Sequence, residues 1–442
     1  MLDVPVLNVD EWRRRVPRRR FSLPQLPEAV LARLGEAVGR PVRDALDGVD
    51  EILRQVLEEG DAAVLRLTRA FDGTTPDPLE VAAAARREAG AALTAAQRGA
   101  IETAESRIEA FHRLQLPRVL GDGELQLRPE PLSRVGIYVP GGRARYPSTV
   151  LMNAVPARLA GVGEIIMTTP ASADGTISPA VLYAAEVAGV DRVFRIGGAQ
   201  AVAALAYGTD TVPAVDKITG PGNIFVTLAK RQVYGVVGID GLAGPTEILI
   251  VADRSADPRQ VAEDLASQLE HDPQAWAVLF TDDRALGEDV AARLAVDELA
   301  SRFGAEAAEL HAVVVILPDI ASAVELAAEF APEHLELLVE DVDEYLPQVR
   351  NAGMVFAGSW SPVPIGDYVA GSNHTLPTGG AARFTSPLGV YDFFRWVSVV
   401  RLSGAASRAI APTAIEMARM EGLVAHERSL VTLVDRVDGA PS

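Results

Sequence analysis

The chain contains no cysteine. Disulfides and thiolate metal sites are therefore excluded, and any metal must be held by imidazole, carboxylate, amide or water. Lysine is almost as scarce: Lys217 and Lys230 are the only ones among 41 basic residues. A codon bias toward Arg accounts for that scarcity, yet both lysines fall in the motif-dense middle of the chain. A cationic surplus is lacking too. The formal net charge of -19 argues against a nucleic-acid or anionic-membrane partner, since both need a basic face. No apolar run reaches transmembrane length, and Met1 to Arg20 hold no apolar core of signal-peptide length. The expectation is a soluble cytoplasmic protein. The usual glycine fingerprint of dinucleotide binding is also missing after the first strand of the α/β region.

With 442 residues, 48% of them hydrophobic, the chain has enough apolar surface for two or more cores. Residues 1–25 are polar and Arg-rich and read as an arm; the run Arg13 to Arg20 suits a solvated or interface segment better than an anion site. Residues 26 to about 112 have a helical pattern. From Val135 short β-branched runs alternate with helical stretches. Strands are expected at Ile137–Val139, Glu164–Thr168, Arg192–Ile196 and Lys217–Thr219. A second block offers Glu247–Ala252, Trp276–Thr281, Ala312–Leu317, His334–Val339 and Met354–Ala357. Such βαβα alternation implies parallel sheets covered on both faces. The fold class is thus α/β, with two tandem incomplete Rossmann-like domains, an N-terminal helical arm and a C-terminal helical tail. The first domain takes 26–134 and 247–388, with the catalytic and metal residues. The second takes 135–246 and the nucleotide, and 389–442 form the tail.

Three glycine-rich turns stand in the first block: Pro140-Gly141-Gly142, Gly197-Gly198-Ala199-Gln200 and Gly220-Pro221-Gly222-Asn223. Glycine before a helix lets backbone N–H groups approach a phosphate, although it also serves plain sterics. Asp257 can cap a helix that Pro258 opens and Asp272-Pro273 stop. Gln268 and His271 lie three apart at its last turn, able to share a metal or simply to face solvent. Pro332-Glu333-His334 puts two proton-transfer groups of different pKa at a helix-to-strand junction. Asp367 and His374 sit in a glycine-rich loop, and Glu421 and His426 in the tail. A Glu-His pair beside a metal also suits a zinc hydrolase; the nucleotide-type turns speak against that alternative.

Taken together, these motifs resemble the histidinol dehydrogenase family over residues 30 to 435. The carriers are GIYVPGG followed by STVLMNAVPA, then GGAQAVAALAYGT, DKITGPGNIFVTLAKRQV, AGPTEILIVAD, SQLEHD, APEHLEL, GDYVAGSNHTLPTGGAARF and EGLVAH, in one order. The resemblance implies oxidation of L-histidinol through L-histidinal to L-histidine with two NAD. It implies one zinc per subunit on Gln268, His271, Asp367 and His426. Glu333 and His334 would be the acid/base pair. Tyr138, Gln200 and Asn223 would contact NAD, and Thr246, His374 and Glu421 the substrate, along with His334 and the metal ligands. Thr246 stands where the family usually has Ser; the hydroxyl is kept. A homodimer is implied, with each tail completing its partner's site.

Overall fold

Continuous apolar runs can satisfy both faces of a strand only inside a covered parallel sheet. A computed structural model, which describes residues 2–16, 27–141, 145–271, 273–295 and 311–438, has this arrangement twice. The strands are β1 (Val6–Asn8), β2 (Leu120–Gly121), β3 (Leu125–Pro131), β4 (Arg134–Tyr138), β5 (Glu164–Thr168), β6 (Arg192–Phe194) and β7 (Lys217–Thr219). They continue as β8 (Gly238–Ile239), β9 (Glu247–Ala252), β10 (Trp276–Thr281), β11 (His311–Ile316), β12 (His334–Leu338), β13 (Met354–Ala357) and β14 (Phe394–Val400). Gly142, the arginines beyond Val16 and the helix stop at Asp272 lie outside the described residues.

Among the described residues one parallel sheet has the order β6-β5-β4-β7-β8, and the other β1-β11-β10-β9-β12-β13. Leaving out β1, both follow one plan. The first strand in sequence is central, the next two extend one way, and the last two the other. Each sheet therefore has a switch point, between β4 and β7 in one and between β9 and β12 in the other. This is the five-strand part of a Rossmann order. The repeated topology appears without any residue-level repeat.

Two compact units are present: Met1–Leu116 with Leu132–Phe393, and Pro117–Pro131 with Phe394–Ser442. Both parallel sheets belong to the first. Helix Ala45–Glu59 buries Val49, Ile52, Leu53 and Val56 at the i, i+3, i+4, i+7 spacing of one stripe. That stripe shares a core with Leu205, Val226 and Ile218 of the five-stranded sheet and its helices. The helical residues expected to join the 247–388 block pack instead against the five-stranded sheet's helices.

Two further readings are refined. The arm's helix, Val9–Arg15, is preceded by β1, which pairs with β11, and Trp12 packs edge-on against Phe280. The tail keeps its helices, Gly404–Met420 and Val424–Asp438, but opens on a strand. Phe394 to Val400 are aromatic or β-branched at five of seven positions and pair antiparallel with β3. That pairing forms a three-stranded sheet in the second unit.

Candidate active site

Helix Ile320–Phe330 ends at Ala331, whose φ of 54° is left-handed and turns the chain into Pro332-Glu333-His334 at the head of β12. Beside it Thr246 precedes β9, and the register sets His334 against Ile248. The helix Pro258–Leu269 follows β9 and leads to β10, which is parallel to it. A helix in such a crossover runs back against the strands, so its last turn returns Gln268 to the edge where β9 and β12 begin. Gly353 is needed at this edge, because a Cβ there would meet the Glu333 carbonyl at 2.5 Å.

Glu333 and His334 are both buried. One Glu333 oxygen, Oε2, accepts from the Thr246 hydroxyl at 2.7 Å and the Glu247 N–H at 2.9 Å. Burial pushes this carboxyl up to about 7, against the downward pull of His334 and its donors. The His334 Nδ1 lies 3.0 Å from the Glu247 carbonyl oxygen. A carbonyl can only accept, so Nδ1 carries a proton in either state of the ring, and Nε2 is the nitrogen that gains or gives up the other. Nε2 is 3.7 Å from Asp367 Oδ1 and has no hydrogen-bond partner among the described residues. Burial disfavours the imidazolium, but Glu333, Asp367 and the Glu247 carbonyl outweigh it and raise the His334 pKa to about 9.

Asp367, on the short helix Val363–Tyr368, is largely buried with His334, His374 and His271 as its electrostatic neighbours. Burial would raise its pKa; the histidines overcome that and hold it below the ordinary value. Burial drives His374 down to about 4, so it is neutral, and its Nε2 has no partner among the described residues. Gln268 donates through Nε2 to the Thr246 hydroxyl, which leaves its harder carbonyl oxygen available as a ligand. His271 follows that helix and is exposed. Among the described residues no three His, Asp or Glu side chains form a chelating group by themselves. This unit offers one amide, one carboxylate and one imidazole around unpartnered buried nitrogen. That donor set fits zinc and needs a further ligand.

The candidate nucleotide residues gather at the opposite kind of edge, the C-terminal ends of the five-stranded sheet, where a switch point opens a crevice. Tyr138 ends β4 and is buried, with its hydroxyl accepting from the Gly198 N–H at 3.1 Å. Gln200 is wholly buried, and neither end of its amide has a partner among the described residues. Asn223 caps helix Ile224–Val233, its Oδ1 accepting from Phe225 and Val226 N–H at 3.1 and 3.2 Å. Asn223 is exposed, and the cap makes no use of its amide NH₂ group. Between β8 and β9 the chain needs only residues 240–246, a span of at most about 28 Å. The C-terminal edge of the five-stranded sheet thus feeds directly into the Thr246 edge of the other.

Glu421 and His426 are exposed in the second unit, at the end of helix Gly404–Met420 and in the first turn of Val424–Asp438. An ion pair between Arg419 and Glu427 at 2.7 Å braces that junction. One structural contributor was not singled out from the sequence. Glu247 accepts from the Gly379 N–H at 2.7 Å and the Glu333 N–H at 3.3 Å, besides offering its carbonyl to His334. Its signal was a carboxylate at the head of an otherwise apolar strand, EILIVA.

The histidinol dehydrogenase family model matches residues 39–433. A histidinol dehydrogenase of Prochlorococcus marinus is 46% identical over 416 residues, covering 92% of this chain and 94% of that protein. One from Rhizobium meliloti is 48% identical over 404 residues, covering 88% and 92%. The crystal structure of histidinol dehydrogenase from Elizabethkingia anophelis superposes with a TM-score of 0.86 at 30% identity, covering 99% of each chain.

Proposed function

This chain belongs to the histidinol dehydrogenase family, and on that premise we propose how its own residues carry the reaction. The enzyme oxidises L-histidinol to L-histidinal and then to L-histidine, the last steps of histidine biosynthesis, passing two electrons to NAD each time. The observation that carries the assignment of roles is the buried Glu333-His334 pair, with Nε2 of His334 unpartnered beside Asp367.

His334 Nε2 takes the proton of the substrate hydroxyl while the carbinol carbon yields hydride to the nicotinamide. The aldehyde stays in place. Glu333 then deprotonates a water that adds to the carbonyl carbon, and the hydrate loses a second hydride to a second NAD and its remaining hydroxyl proton to His334, leaving the carboxylate. The Thr246 hydroxyl accepts from Gln268 and donates to Glu333, so Thr246 holds the carboxylate as well as facing substrate. We assign His374, neutral and with no Nε2 partner among the described residues, to the substrate contacts along with Glu421. Gln268, His271, Asp367 and His426 would hold zinc, which would supply a Lewis-acidic anchor for the substrate. Tyr138, Gln200 and Asn223 form the NAD site.

The assembly we propose is a homodimer in which Glu421 and His426 complete the partner's site. Exposed Ile410, Met417, Met420, Leu423 and Val424 in the second unit support this reading, because a small unit with that much bare apolar surface needs a partner. A cytoplasmic location is part of the same proposal; among the described residues no helix is long and apolar enough to cross a membrane. Absorbance of reduced nicotinamide tests the overall reaction. Complete turnover yields two equivalents per L-histidinol, and a single equivalent with aldehyde accumulating would contradict it.

A further inference from the structure

The reaction leaves one buried ion pair unused. Lys230, on helix Ile224–Val233, is 3% exposed. Its Nζ donates to the Asp240 carboxylate and, at 3.0 Å, to the carbonyl oxygen of Gly220. Asp240 in turn accepts from the Gly220 N–H at 2.7 Å through Oδ2 and from the Gly241 N–H at 2.7 Å through Oδ1. Both hydrogen-bonding groups of one glycine are thus gripped by the two halves of a single pair. Gly220 adopts φ +107°, and a Cβ there would lie 2.1 Å from the Tyr138 carbonyl oxygen. The grip therefore fixes how closely the turn after β7 sits on the end of β4, at the switch point of the sheet. Gly220 opens the Gly220-Pro221-Gly222-Asn223 turn, and Asp240 opens the 240–246 segment leading to Thr246.

We propose that Lys230 and Asp240 are positioning residues for the nicotinamide cofactor, acting through the backbone of Gly220 to hold the Gly220–Asn223 turn in its binding geometry. A buried pair is a weak source of stability, because desolvation cancels much of the attraction. Preorganising a binding turn is what such a pair can supply. An ammonium suits this role because it is compact and donates in several directions, so it reaches a carbonyl and a carboxylate together. In a chain whose one other lysine is Lys217, this explains why a lysine and not an arginine stands at this position. The inference rests on the reading that the Gly220–Asn223 turn contacts NAD.

Three variants of the full-length zinc-loaded enzyme test it: Asp240→Asn, the neutral double variant Lys230→Met with Asp240→Asn, and Asn223→Ser. The double variant removes the risk that one uncompensated buried charge unfolds the protein. KM for NAD, KM for L-histidinol, kcat at saturating NAD, zinc content and Tm are measured for each. The proposal predicts that KM for NAD rises about tenfold in Asp240→Asn and in the double variant, equivalent to about 1.4 kcal/mol, with kcat within about twofold. Zinc content and KM for L-histidinol stay at wild-type values. A lowered Tm with unchanged KM for NAD, while Asn223→Ser raises it, overturns the positioning role and leaves the pair structural. Unchanged KM for NAD in all three variants overturns the cofactor reading of the turn, and the inference with it.

Discussion

The Nδ1 of His334 points at the main-chain carbonyl of Glu247 from 3.0 Å, and that contact selects the tautomer. Two neighbouring parallel strands meet there, so the sheet itself orients the base. The Glu247 carboxylate meanwhile ties the Glu333 N–H and the Gly379 N–H. One residue at the head of β9 thus orders the base, the second carboxylate and the loop beyond His374. Removing a buried carboxylate that serves several N–H donors costs each donor its partner.

Asn223 has a capping role and a cofactor role, and substitution separates them. Asn223→Ala removes the N-cap oxygen and lowers stability by about 1 kcal/mol, while Asn223→Ser keeps a capping oxygen and holds most of it. Both lose the amide NH₂ and raise KM for NAD. Thermal unfolding and NAD titration of the two variants check this. Equal KM for NAD in wild type and both variants would remove Asn223 from the NAD site.

Glu336 is wholly buried on β12, two residues past His334, with Asp264 of the helix Pro258–Leu269 as its neighbour. Burial first, then the Asp264 carboxylate, raise the Glu336 pKa to about 9, and burial raises Asp264 to about 6. The folded protein keeps a proton on Glu336 that the unfolded chain releases near its ordinary carboxylate pKa. Stability contributed by that proton is full at acid pH and falls as pH rises toward 9, by about 1.4 kcal/mol per pH unit for one fully linked proton. Glu336→Gln keeps a donor toward Asp264 and cannot ionise. Its Tm declines less than that of wild type between about pH 6 and pH 9. Parallel Tm curves for the two proteins would contradict this.

What the sequence revealed depends on whether the signal was local. Glu247–Ala252 and Trp276–Thr281 were legible to the residue, because strands covered on both faces are continuous apolar runs. Helical spacing put Gln268 and His271 on one face without deciding between a metal and solvent, and the helix in fact ends at Leu269, with His271 just past it. Phe394–Val400 was read as part of a helical tail, because its pairing partner, Leu125–Pro131, lies some 260 residues earlier. The short strand Val6–Asn8 escaped notice for the same reason, since β11 is its partner. The helices of residues 26–112 show which face is apolar but not which sheet covers it. Nothing in the sequence pairs Glu247 with His334 or Lys230 with Gly220. Those contacts exist only once strands 87 residues apart, or a helix and the turn that precedes it, are folded against each other.

Crossed tails are tested by complementation. His334→Ala and His426→Ala, each inactive alone, are reassembled as mixed dimers. With tails crossed, one site of each mixed dimer collects both lesions and the other collects none. Random mixing makes about half of the dimers mixed, so roughly a quarter of wild-type activity returns. If mixed dimers form and nothing returns, each tail serves its own chain.

The central claim is that His334 and Glu333 divide the proton work of two consecutive oxidations. The measurement that tests it most directly compares single-turnover rates for two substrates, L-histidinol and supplied L-histidinal, in Glu333→Gln and His334→Ala. His334→Ala slows oxidation of the alcohol by about 10²–10⁴-fold at neutral pH, the contribution of a positioned base. In wild type, the aldehyde rate climbs through about pH 7 as the Glu333 carboxylate forms, and that rise is absent in Glu333→Gln. Glu333→Gln slows the aldehyde far more than the alcohol. Equal losses on the two substrates in Glu333→Gln would contradict the division and reduce the pair to a single catalytic unit.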